Sequence, residues 1–269
     1  MGSSRGGEKL RRMRWFSPPL GVRWFLLNYP ISHKTQEVGL LSKVQEKNMI
    51  QIALDGPSGA GKSTLAKNLA NHLQFVYVDT GALYRTIGLY VARTGIDPDD
   101  TDAITFLLPN IRLELAYIDG SQHVLLCGED VSGLIRTPEI SMMASKVSAI
   151  PAVREFLLAT QREIAEKNNI IMDGRDIGTV ILPNADVKIF LVCSSAAKAR
   201  RRFEELTEKG IATTYEEVLR DMEARDLADS TRAAAPLRKA DDAVELNNSD
   251  FTPEQTIAAA LAILKEKLQ

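Results

Sequence analysis

The sequence is poor in cysteine, in aromatic rings and in long apolar runs. Its two cysteines, Cys127 and Cys193, lie far apart and form no disulfide framework, metal-ligand spacing or redox pair. Cys193 closes an apolar run, Ile189-Phe-Leu-Val-Cys193, and reads as a small buried hydrophobe. The stretch around Trp24-Phe-Leu-Leu27, broken by Arg23 and Pro30, falls far short of a membrane span. No cleavable signal-peptide pattern, internal repeat or low-complexity tract is visible. A reducing, cytoplasmic setting is the expectation. The sequence also lacks a basic excess, with a net charge of −2 over 269 residues.

That charge is unevenly placed. Residues 1–48 hold nine Lys/Arg against three Asp/Glu, a balance of +6, which leaves −8 for residues 49–269. So acidic a body argues against nucleic acid as a partner. Arginines gathered in one cleft would instead serve a small anionic ligand. Residues 1–48 hold both tryptophans, a Pro18-Pro19 step and no sustained period. They read as a disordered extension or as a start set upstream of Met49. Their Arg-rich, acid-poor bias also fits a transit peptide. The expected division is an extension at 1–48, dispensable for activity, and one domain at 49–269, with enough apolar side chain for a core.

The strongest positive signal is Gly56-Pro-Ser-Gly-Ala-Gly-Lys-Ser63, a G-x-x-x-x-G-K-[ST] pattern. A hydrophobic run, Met49-Ile-Gln-Ile-Ala-Leu54, leads into it, and a helix-like stretch from Thr64 to Leu73 follows. Strand, glycine loop and helix in that order build a phosphate cradle: glycines turn N–H groups inward and the helix start adds open donors. Lys62 supplies a full positive charge to the β- and γ-phosphates, and Ser63 a hydroxyl for Mg²⁺. Gly56, Pro57, Ser58, Gly59, Ala60, Gly61, Lys62, Ser63 and Thr64 are the candidate ATP-binding residues.

Apolar runs at Phe75–Val78, Asn169–Met172, Val187–Val192 and Ala243–Leu246 supply four further strands, alternating with helical stretches. Ile111–Tyr117 and His123–Cys127 flank an Asp119-Gly120 turn and read as a hairpin. The hairpin breaks the β/α alternation, placing a small inserted subdomain at about 110–135, with an edge hairpin of the main sheet as the alternative. A charged helical stretch from about 196 to 235, interrupted at Gly210, reads as a mobile lid. Gly210 is either its hinge or a helix C-cap. Thr252, Pro253 and Gln255 mark the last helix start with a capping box. The expected fold is α/β: a doubly wound, five-stranded parallel sheet with that insertion and a short helical lid.

Polar clusters follow the strand ends, where ligands bind in such sheets. They are Asp79-Thr-Gly-Ala-Leu-Tyr-Arg85, Asp173-Gly-Arg-Asp176 and Arg225-Asp-Leu-Ala-Asp-Ser-Thr-Arg232. Asp173, at a strand end, stands where an NTPase places an acidic group near Mg²⁺. Arg225, Asp229 and Arg232 share one helix face, either in a binding site or as a solvated ion-paired surface. Arginine grips phosphate bidentately, and an acceptor that is itself a phosphate needs several.

These segments, with Gly128-Glu-Asp-Val-Ser132 and the extension Asp173-Gly-Arg-Asp-Ile-Gly-Thr179, resemble those of bacterial cytidylate kinases in the same order. The resemblance spans 49–269 and none of 1–48. It implies transfer of the ATP γ-phosphoryl group to CMP or dCMP, with the insertion as the nucleoside monophosphate-binding part. It also implies that Thr80, Arg154 and Asp176 meet the cytosine edge. Tyr84, Arg85, Arg175 and Arg232 would grip the acceptor phosphate, and Arg225 and Asp229 the sugar hydroxyls. By the same resemblance Ser145 would contact the deoxyribose form, and Arg201 and Arg202 would lie on the ATP side. Thr80 stands where serine is common and Ala228 where some members carry arginine. Lys62, Arg175 and Arg232 would neutralise charge in the transition state, Ser63 and Asp173 would hold Mg²⁺, and a monomer is the default. A shikimate-kinase-like enzyme and a nucleotide-binding switch stand as alternatives. A GTPase does not, since no Asn-Lys-x-Asp motif is present.

Overall fold

The computed structural model describes the backbone of residues 22–25 and residues 49–118 and 121–269 in full. In chain order the elements are β1 (Val22–Phe25), β2 (Gln51–Asp55), α1 (Lys62–Leu73), β3 (Val76–Asp79), α2 (Thr80–Thr94) and α3 (Thr101–Leu107). They continue with β4 (Leu113–Ile118), β5 (Ser121–Leu126), β6 (Glu129–Asp130), α4 (Pro138–Val147), α5 (Pro151–Lys167), β7 (Ile170–Gly174) and β8 (Val187–Val192). The chain closes with α6 (Ser195–Glu208), α7 (Tyr215–Thr231), β9 (Val244–Asn247) and α8 (Pro253–Leu268).

Five strands form an all-parallel sheet in the order β3-β7-β2-β8-β9. The chain leaves β2 toward one side for β3 and later crosses to the other for β8 and β9. The switch point therefore lies at the carboxyl end of β2, where the glycine loop begins. Alternation along β2 divides the core. Ile52 and Leu54 pack with α1 and α8, while Ala53 packs with the side of α2, α4 and α5. The helical stretch 138–167 divides at Pro151. Ile150 is extended (φ −80°, ψ 118°) because the proline ring disfavours a helical residue before it.

The hairpin β4–β5 belongs to a separate small sheet, ordered β1-β4-β5-β6, and not to the edge of the main one. It still leans on β3. Tyr117 Oη donates to the Tyr77 carbonyl (2.7 Å), and the Asp79 N–H donates to Gln122 Oε1 (2.8 Å). β1 pairs in parallel with β4, Val22 opposite Leu113 through Phe25 opposite Ala116. Four residues are too short a run to display a period, so this strand was not readable from the sequence. The rest of the extension reading falls outside the described residues.

Helices α6 and α7 form an antiparallel pair with its own small core of Ala199, Leu206, Val218 and Met222. Gly210 follows α6 at φ +69°, with its N–H on Thr207 O (2.9 Å) and the Ile211 N–H on Leu206 O (2.9 Å). That is a Schellman C-cap, the local role glycine fills best. Among the described residues no helix is long and apolar enough to cross a membrane.

Candidate active site

The glycine loop joins β2 to α1 under tight steric control. A Cβ at Gly56 would collide with the Leu191 carbonyl oxygen on β8. Gly61, at φ +90°, is the N-cap of α1, and no side chain caps that helix. Its first N–H groups are therefore left for an anion. Lys62 folds back over the loop, its Nζ donating to Pro57 O at 2.6 Å. Burial, and then the nearby Arg175 guanidinium, push the Lys62 ammonium well below the usual lysine range. A polyphosphate in the loop would remove that penalty by supplying the missing negative charge.

Ser63 Oγ donates to Asp173 Oδ2 (2.8 Å), and Tyr77 Oη donates to Asp173 Oδ1 (3.0 Å). Asp173 lies opposite Asp79 in the β3–β7 register. Burial first, then that neighbouring carboxylate, raise its pKa. Two crowded carboxyl groups beside a serine hydroxyl form a site that favours added positive charge.

The facing wall is built from arginine–carboxylate pairs. Asp79 caps α2 by accepting from the Ala82 N–H (2.9 Å) and pairs with Arg85 (2.7 Å). Thr80 Oγ1 donates to Asp173 O (2.7 Å). Arg154 pairs with Asp176, donates to Ser148 O (3.0 Å) and lies 5.4 Å from the centroid of the Tyr84 ring. Arg175 Nε donates to Asp229 Oδ2 (2.7 Å), and Arg232 stands 3.7 Å from both Asp176 and Asp229. Burial, and then Arg175 in one case and Arg154 in the other, lower the pKa of Arg225 and Arg232. For Asp229 burial works against the charge, but Arg175, Arg225 and Arg232 outweigh it and hold the carboxyl below its ordinary value. The Nε atoms of Arg85 and Arg225 are buried without a partner. Like-charged guanidiniums with spare donors suit a dianionic ligand.

These groups meet in one cleft of about 360 Å³. It brings together every residue expected on the acceptor side: Thr80, Tyr84, Arg85, Ser145, Arg154, Arg175, Asp176, Arg225, Asp229 and Arg232. Ser58, Gly59, Gly61, Lys62, Ser63, Thr64 and Asp173 line its other end, while Gly56, Pro57 and Ala60 shape the loop from behind. Two expected ATP-side residues are not brought to it. Arg201 donates to the carbonyls of Asn248 (2.8 Å), Ser249 (3.3 Å) and Phe251 (3.3 Å), and so ties α6 to the turn after β9. Arg202 pairs with Glu205 along α6 (2.7 Å). Ser148 and Glu205 line the cleft unforeseen, and Asp79, which opens one of the strand-end clusters, lines it without having been given a role. Asp79 had a readable signal, since it ends a strand three residues before the helical N–H it caps. Asp55, also missed, accepts from the Ile177 and Gly178 N–H groups (both 2.8 Å) and holds the π-type turn after Asp176.

The cytidylate kinase family model matches residues 52–266. The chain belongs to the cytidylate kinase family. A cytidylate kinase of Lactobacillus johnsonii is 45% identical over 219 residues, covering 81% of this chain and 95% of that protein. One from Caldicellulosiruptor saccharolyticus is 46% identical over 214 residues, covering 80% and 95%. Among solved structures, a shikimate kinase from Bacteroides thetaiotaomicron gives a TM-score of 0.41 at 16% identity, over 81% of this chain and 99% of that one. So loose a likeness has no bearing on substrate.

Proposed function

We propose that this cytidylate kinase family member transfers the γ-phosphoryl group of ATP to CMP or dCMP, giving ADP and the pyrimidine nucleoside diphosphate. The observation that carries the reading is the acceptor wall. Four arginines, Arg85, Arg175, Arg225 and Arg232, line one cleft together with a buried carboxylate, Asp176, that can accept from a cytosine amino group. A shikimate-type acceptor would not call for so many guanidiniums.

The donor triphosphate lies in the glycine loop against the open N-terminus of α1, with Lys62 on the transferring group. The acceptor phosphate lies between Arg85, Arg175 and Arg232, facing Lys62 across the cleft. It already offers an anionic oxygen near neutral pH, so no general base is required. Positioning and charge neutralisation by Lys62, Arg175 and Arg232 then carry the catalysis. Thr80, Arg154 and Asp176 meet the base, Tyr84 flanks the acceptor phosphate, and Arg225 and Asp229 hold the sugar. Ser145 is the deoxyribose contact. Arg201 and Arg202 join the donor side only if α6 moves. The pair α6–α7, within a lid of about 196–235, closes over both substrates and keeps water out.

Ser63 and Asp173 fit Mg²⁺. Their oxygens are 2.8 Å apart, and the raised Asp173 pKa marks a place where added positive charge is favoured. Among the described residues no group of three or more metal-binding side chains exists, which suits an ion held largely by phosphate oxygens and water. Ser63 and Asp173 would hold the ion, which would supply neutralisation of the phosphate charge. The reading further includes a cytoplasmic monomer, since one chain supplies the whole cleft, with a catalytic domain at 49–269 and a dispensable extension at 1–48.

An ADP-release assay with ATP and a panel of CMP, dCMP, UMP, AMP and shikimate tests the function. Turnover with CMP or dCMP well above the rest is expected, and a preference for shikimate or AMP overturns it.

A further inference from the structure

One ion pair outside the substrate-facing groups joins the lid to the donor loop. Lys198 on α6 is 2% exposed and pairs with Asp226 on α7 through Oδ2. The other oxygen, Oδ1, accepts from the backbone N–H of Ser58 in the glycine loop (3.1 Å). Beside it, the Met222 methyl of α7 packs so closely on Gly59 that a Cβ at Gly59 would collide with it. α7 therefore rests directly on the loop that takes the donor phosphates. The same helix carries Arg225 next to Asp226 and Asp229 one turn further on, with Arg232 at its end.

We propose that Asp226, anchored by Lys198, is a positioning residue that couples the two nucleotide sites by docking α7 on the Ser58 N–H. The conformation of the donor loop then sets where Arg225, Asp229 and Arg232 stand around the acceptor. A helix is stiff over two turns, so a shift at Asp226 passes undiminished to its neighbours. The α6–α7 pair has its own core, so a single anchor governs several acceptor contacts. Lys198 keeps the carboxylate from facing the donor triphosphate as an uncompensated negative charge. Coupling of this kind typically changes affinity about 5- to 150-fold.

The inference rests on the CMP kinase reading, and the test separates the two. CMP affinity is measured by calorimetry on the full chain, with and without a non-hydrolysable ATP analogue and magnesium. The proteins are wild type, Asp226→Ala, Lys198→Arg and the double variant Lys198→Met/Asp226→Leu. The double variant replaces both charges with apolar groups, which buried pairs tolerate, so it keeps the test alive if Asp226→Ala fails to fold. In wild type the analogue should tighten CMP binding by about fivefold or more. In Asp226→Ala and the double variant that gain should fall to within about twofold of none. Lys198→Arg should keep the gain. No gain in wild type, or an undiminished gain in the double variant, overturns the inference. Absence of CMP turnover by wild type in the ADP-release assay overturns the underlying function instead.

Discussion

Replacing Asp176 by Asn tests the base-reading assignment through one atom. Asp176 is 3% exposed, and each carboxylate oxygen faces a guanidinium: Oδ2 pairs with Arg154, and Oδ1 lies 3.7 Å from Arg232. Cytosine presents an amino donor at the position where uracil presents a carbonyl. Asn keeps the shape but turns one of two acceptors into a donor, which disfavours cytosine and favours uracil. A hydrogen bond to a charged group contributes about 1.5–3 kcal/mol, or roughly 10- to 150-fold. The ratio of kcat/KM for CMP over UMP should therefore fall about 10- to 100-fold. The substitution also removes the charge partner of Arg154. Breaking a buried pair typically costs about 3–5 kcal/mol. Arg154 retains the Ser148 carbonyl at 3.0 Å, so the loss should lie at the low end. Steady-state kinetics with both nucleotides on one enzyme preparation measure the ratio, from which any loss of folded fraction cancels. An unchanged ratio, with both substrates losing equally, would refute base reading by Asp176 and leave it as a brace for Arg154.

Lys62→Ala should lower kcat about a thousandfold, close to 4 kcal/mol, by removing a principal transition-state charge. Turnover near wild type would end that assignment. Asp55 is raised by burial from 3.8 to about 6, so between those values the folded state holds more protons than the unfolded one. On its account stability is greatest below about pH 4 and falls as pH rises through 6, by about 3 kcal/mol for a shift near two units. The stability of wild type minus that of Asp55→Asn, from urea unfolding, should decline by that order between pH 4 and 7, and a constant difference would contradict it. Removal of residues 1–48, β1 included, should leave turnover with CMP unchanged. A loss of folding or activity would make the extension part of the enzyme.

The parts of the fold written in local pattern were readable. The inner parallel strands are largely apolar because both faces are covered, the edge strand β9 alternates with Leu246 buried and Glu245 exposed, and the glycine loop announces itself by spacing. The helix starts at Thr252 and Asp79 carry their caps within three residues. That Arg85, Arg154, Asp176 and Arg232 belong to one cleft was readable through the family resemblance and not through periodicity. Contacts between distant segments were not readable. Asp55 meets its N–H partners 122 and 123 positions away, and Asp226 meets Ser58 across 168. Neither neighbourhood names the partner of these carboxylates. Arg201, set on the ATP side by the resemblance alone, is held here by the carbonyls of the turn after β9.

The sequence by itself thus determined the class of the sheet, the phosphate loop and the residue types gathered at the strand ends, because hydrophobic periodicity and glycine stereochemistry act over a few residues. Only the tertiary structure decided which charges meet. It paired Arg154 with Asp176 and Arg175 with Asp229, withdrew Arg201 from the cleft and set α7 on the donor loop through Asp226. An ion pair depends on distance and burial, and both are properties of the packed chain.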